Sequence, residues 1–110
     1  MHLSIVIPLF NEEKSLDELY SSINKTISTI NVKYEVIFID DGSTDSSWNT
    51  IKKIVNNYPN VKGIKFLRNF GKSQALSAGF KDAKGDVIIT LDADLQDDPN
   101  EILSLYELMK

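Results

Sequence analysis

Several residue types that mark other classes of protein are missing or scarce in this sequence. Cysteine is absent, which excludes disulfide bonds and thiolate metal sites within these residues and fits a cytosolic setting. The only histidine, His2, precedes the first apolar run, and we expect no functional role for it. No apolar run approaches the roughly 20 residues of a membrane-spanning helix. Neither a G-x-G-x-x-G motif nor a P-loop lysine motif is present.

Positive charge is also in short supply. Lysine and arginine number 12 against 16 acidic residues, which gives a net charge of −4. This balance argues against nucleic acid as a main partner, because binding to a phosphate backbone needs a basic surface. An acidic chain that binds an anionic ligand must therefore supply positive charge locally, from a few basic side chains or from a metal ion.

Four runs rich in β-branched residues predict strands, at residues 3–9, 34–39, 61–67 and 86–91. Three of these runs are nearly continuous apolar stretches, which are typical of a parallel sheet that is covered on both faces. The third run is interrupted by Lys62 and Lys65, so we expect this strand to lie nearer to an edge of the sheet.

Helical patterns separate the predicted strands. Apolar residues recur at helical spacing within residues 16–30, 48–58 and 102–109. Ala75, Ala78 and Gly79 form a small-residue face, which predicts a helix that packs closely on the sheet. This alternation predicts an α/β protein, with a Rossmann-like three-layer α/β/α fold and a mostly parallel sheet. In such folds, ligands bind beyond the carboxyl ends of the strands.

A polar cluster follows each predicted strand, which places all four clusters at that end of the sheet. They are residues 8–13 (PLFNEE), 40–45 (DDGSTD), 68–72 (RNFGK) and 92–98 (DADLQDD). We call this end of the sheet the rim. Connecting loops alone do not require polar clusters after all four strands, so we expect a ligand site at the rim.

The last cluster predicts a metal site. Asp92 and Asp94 stand two residues apart in an extended segment, so their side chains point the same way and repel unless a cation lies between them. Gln96 continues the alternation, and a set of oxygen ligands favours Mg²⁺ or Mn²⁺. The alternative role, capping of the next helix, is the better explanation for Asp97 and Asp98.

The second cluster combines acidic and turn-forming residues. We expect Asp41, and with it Asp40, to accept hydrogen bonds from the base or ribose of a nucleotide. The alternative is a strand-to-helix turn in which Ser43 or Asp45 caps the helix, and both roles can hold at once.

The remaining rim residues carry charges of both signs. Arg68 and Lys72 are the basic residues of the clusters, and with Gly71 allowing close approach they predict contact with a phosphate. Ordinary surface cations are the alternative for both. Glu12 and Glu13 either serve the site or favour a helix N-terminus electrostatically.

In order and spacing, the four clusters resemble those of the family 2 glycosyltransferases of GT-A fold. Within that family they are most similar to the polyprenyl-phosphate sugar transferases, which include dolichyl-phosphate mannosyltransferase and the undecaprenyl-phosphate glycosyltransferases. The stretches RNFGK at 68–72 and DADLQ at 92–96 are the specific part of the likeness. Together the four motifs cover nearly the whole chain.

The resemblance implies roles for individual residues. It implies a nucleoside pocket lined by Pro8, Phe10, Glu12 and Asp41. It further implies that Asp92, Asp94 and Gln96 hold a divalent metal on the donor diphosphate, with Asp92 and Asp94 as the catalytic residues. The implied reaction is inverting transfer from a UDP- or GDP-sugar, with a polyprenyl phosphate as acceptor. Because that acceptor is already anionic, positioning and leaving-group stabilisation would carry most of the catalysis.

The resemblance also bears on domain organisation, because catalytic domains of this family are longer than this chain and many continue into membrane helices. We therefore expect residues 1–110 to be the nucleotide-sugar-binding, N-terminal portion of a longer domain at the cytoplasmic face of a membrane. We expect this portion to be inactive alone, and expect any exposed sheet or helix surface to favour homo-oligomers.

Three alternatives compete with this assignment. A phosphate-accepting receiver domain needs an acidic pair after the first strand and an aspartate after the third. This sequence has Asn11, Glu12 and Glu13 at the first place and Arg68 and Asn69 at the second, which argues against that class. A non-catalytic nucleotide-binding module shares the expected pocket and lacks only the transfer. A growing polysaccharide is the alternative acceptor.

Overall fold

Strands and helices alternate along the chain in the predicted order. The computed structural model describes residues 2–94 and 100–109. Its strands are β1 (His2–Leu9), β2 (Lys33–Asp40), β3 (Val61–Lys65) and β4 (Val87–Thr90). Its helices are α1 (Leu16–Ile27), α2 (Ser47–Asn57), α3 (Lys72–Asp82) and α4 (Asn100–Met109). None of the helices in these ranges has the length and apolar character that crossing a membrane requires.

The four strands form one sheet in the order β3-β2-β1-β4, and each neighbouring pair is parallel. The predicted edge position of β3 is therefore confirmed. β2 and β3 are added in turn on one side of β1, and β4 lies on the other side of β1. Strand order thus reverses between β1 and β4, which is where sheets of this kind bind their ligands.

Helices cover both faces of the sheet, which confirms the three-layer α/β/α prediction. Successive strand side chains point to opposite faces, so β1 buries Ile5 and Ile7 on one face and Val6 on the other. The larger core packs β1 and β2 against α1, α2 and α4. The smaller core packs the opposite face against α3.

Helix α3 lies very close to the sheet, as its small residues predicted. Ala75 and Gly79 are buried against β1 and β2. A Cβ added at Gly79 would stand 2.4 Å from Val6 Cγ1 and 2.9 Å from Ile39 Cδ1, so a larger residue does not fit without movement of the strand side chains. This close contact fixes where the N-terminus of α3 emerges at the rim.

Some element boundaries differ from the predicted ones. The strands predicted to end at residues 67 and 91 end at Lys65 and Thr90. Helix α1 ends at Ile27, although its apolar pattern continues to Ile30. The hydroxyl groups of Ser28 and Thr29 donate hydrogen bonds to the carbonyls three residues before them, which competes with continuation of the helix. Ile30 still packs against the larger core.

Candidate functional site

A pocket of about 180 Å³ opens at the reversal of strand order. It lies where β1 and β2 end, beside the segment that follows β4 and the first residue of α3. Its lining residues are Pro8, Leu9, Phe10, Asp41, Lys72 and Asp92. All of them except Leu9 were predicted to contact the sugar donor. The structure therefore brings residues from all four rim clusters into one pocket.

The pocket has one apolar and one ionic side. The apolar side includes Phe10, whose side chain is 44% exposed. Lys72 Nζ lies 2.9 Å from Asp92 Oδ1, in an ion pair whose side chains are 63% and 50% exposed. A ligand with a flat apolar part and a charged part suits such a lining.

Asp41 holds the neighbouring loop in place. Its carboxylate accepts hydrogen bonds from the backbone N–H groups of Phe70 and Gly71, at 2.8 and 3.1 Å. The side-chain amide of Asn69 donates to the Asp41 carbonyl at 3.1 Å and to its carboxylate at 3.3 Å. Asp41 thus ties the end of β2 to the residues that begin α3, in addition to lining the pocket.

Gly42 permits this arrangement through its lack of a side chain. Its φ is +78°, and a Cβ there would stand 2.2 Å from the Arg68 carbonyl carbon and 2.4 Å from the Asn69 nitrogen. The backbone of the third rim cluster therefore runs directly over Gly42. The sequence suggested a turn at this glycine, whereas the close crossing of a distant segment becomes visible only in three dimensions.

Asn11 joins the first and second rim clusters, and sequence reasoning assigned it no role. It has a φ of 55°, and its side-chain oxygen accepts hydrogen bonds from the backbone N–H groups of Thr44 and Asp45, at 2.8 and 3.2 Å. Its own N–H donates to Ser43 Oγ at 2.8 Å. Asparagine tolerates the left-handed region better than most residues, which was the available signal.

The start of α2 corrects one prediction. The helix begins at Ser47 after Ser46, so neither Ser43 nor Asp45 is its N-cap residue. Asp45 instead accepts hydrogen bonds from the N–H groups of Ser47 and Glu13, at 2.9 and 3.3 Å. Burial acts to raise the pKa of Asp45, but hydrogen bonds from Ser47 and Glu13 outweigh it and hold the pKa below its usual range. Ser43 and Asp45 thus link the loops that follow β1 and β2, and neither is the N-cap residue of α2.

Asp40 lies outside the pocket and under the adjacent turn. It is fully buried, and its Oδ1 accepts a hydrogen bond from the Ser43 N–H at 2.8 Å. Its Oδ2 is buried and has no hydrogen-bond partner among the described residues. The structure therefore does not bring Asp40 to the place where it was expected to meet a nucleotide, because β2 directs it into the turn.

Glu12 and Arg68 also lie apart from this pocket. Glu12 lines a neighbouring cavity of about 310 Å³ with Asn11, Glu13, Lys14, Ser15 and Asp45. The Ser15 hydroxyl donates to the Glu12 carboxylate at 3.2 Å. Arg68 is exposed, and its guanidinium carbon lies 4.8 Å from the centre of the Phe70 ring. Neither Glu12 nor Arg68 is among the residues that line the pocket at the strand reversal.

The predicted metal ligands are only partly within the described residues. Leu91 and Ala93 are buried, whereas Asp92 is half-buried and Asp94 is exposed, which fits the expected alternation. Ala93 and Asp94 already belong to a turn, so the extended segment is shorter than expected. Gln96 lies outside the described residues, as do Asp97 and Asp98. In the described ranges, no group of three or more histidine, cysteine or acidic residues is placed to hold a metal.

A larger cavity, of about 620 Å³, lies at the opposite end of the sheet. Its lining includes His2, Lys33, Glu35, Lys62 and Lys84, near the amino ends of the strands. Size alone does not make it the better site. Ligands of parallel sheets bind at the carboxyl ends, where the helix N-termini and strand-end loops converge.

Comparison with known proteins agrees with the geometry. The family model described as glycosyl transferase family 2 matches residues 4–110. Dolichol-phosphate mannosyltransferase of Pyrococcus furiosus is 40% identical over 110 residues, which are all of this chain and 30% of that protein. Undecaprenyl-phosphate 4-deoxy-4-formamido-L-arabinose transferase of Aeromonas hydrophila is 45% identical over 110 aligned residues, covering 96% of this chain and 32% of that protein. The chain thus spans about a third of the length of these relatives.

Solved structures show the same fold at lower identity. A mannosyltransferase from Pyrobaculum calidifontis, in complex with GDP-Man and Mn²⁺, aligns with a TM-score of 0.74 and 23% identity over 84% of this chain and 27% of its own. Staphylococcus aureus TarS, in complex with UDP-GlcNAc, aligns with a TM-score of 0.75 and 22% identity over 99% of this chain and 31% of its own. The fold and the family match point to the same conclusion. This chain belongs to glycosyl transferase family 2.

Proposed function

We propose that this chain forms the donor-binding side of a glycosyltransferase that moves a sugar from a UDP- or GDP-sugar to polyprenyl phosphate, with inversion. The observation that carries the proposal is the pocket at the strand reversal, where Phe10, Lys72 and Asp92 meet. The relatives in Pyrococcus furiosus and Aeromonas hydrophila are named as transferases to dolichol phosphate and undecaprenyl phosphate, which supports the acceptor class.

Each side of the pocket suits one part of a nucleotide-sugar. The exposed ring of Phe10 offers a surface on which a flat base can stack, and Pro8 and Leu9 extend that apolar side. Asp41 lies beside them, although its carboxylate already accepts several hydrogen bonds from residues 69–71. Lys72 supplies the local positive charge that an acidic chain needs for a diphosphate.

The donor atoms at Asp92 and Asp94 fit a hard divalent cation. Both offer carboxylate oxygens at the rim, and Asp92 already holds one cation, the Lys72 ammonium, at 2.9 Å. Oxygen ligands and a partly solvated position are what Mg²⁺ and Mn²⁺ prefer, with water and phosphate oxygens completing the set. The Mn²⁺ in the Pyrobaculum complex supports this ion class. When bound, such a metal would neutralise charge that develops on the leaving diphosphate.

The protein's own residues would then act by positioning. The hydrogen bonds from residues 70 and 71 to the Asp41 carboxylate fix the start of α3. Lys72, the first residue of that helix, is therefore held at the pocket before a ligand binds. A polyprenyl phosphate oxygen is anionic at neutral pH, so the attack on the sugar requires no general base from this chain. We propose that residues 1–110 are the donor-binding portion of a longer enzyme at the cytoplasmic face of a membrane.

The first test is ligand-dependent thermal unfolding of this chain with UDP, GDP, UDP-glucose and GDP-mannose, each with and without Mn²⁺. A ligand at 100 times its dissociation constant adds about 2.7 kcal/mol of stability. For a domain of this size that raises the melting temperature by several degrees. Asp94→Ala should lose the metal-dependent part of the shift, whereas Asp17→Ala, a matched change on the exposed side of α1, should keep it.

A metal-dependent shift with one nucleotide would support the site and identify the donor class. The absence of any shift, for every nucleotide and metal pair, would contradict the proposed donor site. Transfer of labelled sugar by the whole protein in membranes containing polyprenyl phosphate tests the reaction itself. Nucleotide binding without transfer to any lipid phosphate or glycan would instead indicate a non-catalytic nucleotide-binding module.

A further inference from the structure

One ion pair in the pocket joins a residue proposed to bind metal to a residue proposed to bind phosphate. Lys72 Nζ lies 2.9 Å from Asp92 Oδ1, and the two residues are 20 positions apart in the chain. Lys72 is the first residue of α3, whereas Asp92 follows β4. The contact therefore depends on the tertiary structure and not on local sequence.

The position of Lys72 is set by the fold and not by the ion pair. The Gly71 N–H donates to Asp41 at 3.1 Å, and the Phe70 N–H donates to the same carboxylate at 2.8 Å. The close packing of Gly79 on Val6 anchors the body of α3. Removing the charge of Lys72 should thus leave the helix and the loop where they are.

We infer that Lys72 is a built-in counter-cation of Asp92, which a divalent metal must displace and which then serves the donor phosphate. This inference rests on the proposed function. Both cations compete for one carboxylate, and a metal ion bound at Asp92 repels a lysine ammonium held beside it. Lys72 therefore weakens metal binding while the pocket holds no nucleotide. A diphosphate removes the conflict because it gives the ammonium another partner.

This transfer of Lys72 from the Asp92 carboxylate to the donor phosphate makes metal binding and nucleotide binding cooperative. Without nucleotide, a metal bound at Asp92 places like charge beside Lys72 and competes with it for the Asp92 carboxylate. With nucleotide, Lys72 gains phosphate oxygens, so each ligand raises the affinity for the other by the same factor. The ion pair is more than half exposed at Lys72, so breaking it costs little and the exchange can proceed readily.

The experiment measures Mn²⁺ affinity of this chain by electron paramagnetic resonance of free Mn²⁺, without nucleotide. Lys72→Met should bind Mn²⁺ about two- to fivefold more tightly than the unsubstituted chain, as expected for loss of an exposed competing charge. Lys81→Met is the matched control, because Lys81 is an exposed lysine in the last turn of the same helix. It should bind as the unsubstituted chain does, and Lys72→Arg should also stay close to it. High salt should reduce the gain, since screening weakens the competing charge.

A second titration repeats the measurement with saturating UDP or GDP, whichever stabilises the chain. The nucleotide should raise Mn²⁺ affinity by a larger factor in the unsubstituted chain than in Lys72→Met. Unchanged or weaker Mn²⁺ binding by Lys72→Met without nucleotide would overturn the inference. If Asp94→Ala nevertheless abolished Mn²⁺ binding, the proposed metal site would stand. If the unsubstituted chain bound no Mn²⁺, the proposed metal site and this inference would both fall.

Discussion

At the scale of single residues, Gly42 marks a close crossing between two loops of the candidate site. A Cβ at this position would overlap the backbone of Arg68 and Asn69, at 2.2 and 2.4 Å. We expect Gly42→Ala to lower the free energy of unfolding by about 2–4 kcal/mol, because a left-handed φ and a backbone clash act together. Urea denaturation followed by circular dichroism measures the change.

Gly71 provides the matched control for Gly42. Its φ is also positive, at +102°, but a Cβ there would have no described atom within 4 Å. Gly71→Ala should therefore cost only the backbone strain, about 1–2 kcal/mol. Equal losses for the two substitutions would show that the crossing over Gly42 contributes nothing beyond its φ angle.

At the scale of elements, a polar network at the amino ends of the strands fastens the sheet opposite the site. Glu35 of β2 is buried, with Lys62 of β3 3.0 Å away in a salt bridge. The Ser4 hydroxyl of β1 donates to Glu35 at 2.5 Å, and the Lys84 N–H, in the segment between α3 and β4, donates to it at 2.7 Å. Burial acts to raise the pKa of Glu35, but these hydrogen bonds and the Lys62 charge outweigh it and lower the pKa.

This network predicts a pH dependence of stability with a definite sign. Because the pKa of Glu35 is lower in the folded chain than the unfolded value of about 4.3, its contribution is complete above that value. The contribution is lost as pH falls through the folded-state pKa. We expect Glu35→Gln to lower the free energy of unfolding by about 1–3 kcal/mol at neutral pH, since a charged acceptor is lost.

Denaturation at a series of pH values tests this prediction. The difference between Glu35→Gln and the unsubstituted chain should shrink as pH falls below the unfolded value of about 4.3 and on through the lower folded-state pKa. Glu18→Gln, on the exposed side of α1, should show little effect at any pH. A Glu35→Gln difference that stayed constant into strong acid would mean that the ionised carboxylate is not the stabilising form.

At the scale of the whole molecule, one edge of the sheet and several apolar side chains face solvent. Strand β4 is at the end of the strand order, and its Ile88 is 41% exposed while its neighbours Val87 and Ile89 are buried. Leu67 and Leu108 are 94% and 80% exposed. An edge strand with an uncovered apolar residue favours pairing between copies, so we expect concentration-dependent self-association.

Sedimentation velocity over a range of concentrations measures that association. Ile88→Lys should reduce it, because a charged residue on an edge strand opposes pairing. Asn49→Lys, which adds the same charge at an exposed position of α2, should not. A single monomeric species at all concentrations would contradict the prediction.

Much of the architecture could be predicted from the spacing of apolar residues, because that spacing reflects the local secondary structure. Continuous apolar runs need cover on both faces, and their alternation with helices favours a parallel sheet, so the fold and the gathering of the polar clusters at one end of the sheet were predictable. The edge position of β3 followed from its lysines. The end of α1 did not follow, because hydroxyl-to-carbonyl bonds of Ser28 and Thr29 overrode a continuing apolar stripe.

The apolar and polar pattern of the chain was enough to predict the α/β class and the rim on which the polar residues gather. Strand order and the crossing of loops decided which of those residues share a pocket. Asp40 and Asp41 are neighbours in the chain, yet Asp40, the last residue of β2, is buried under a turn, whereas Asp41 lines the pocket. Lys72 and Asp92 meet because β4 returns beside β1, a long-range pairing that no local pattern specifies.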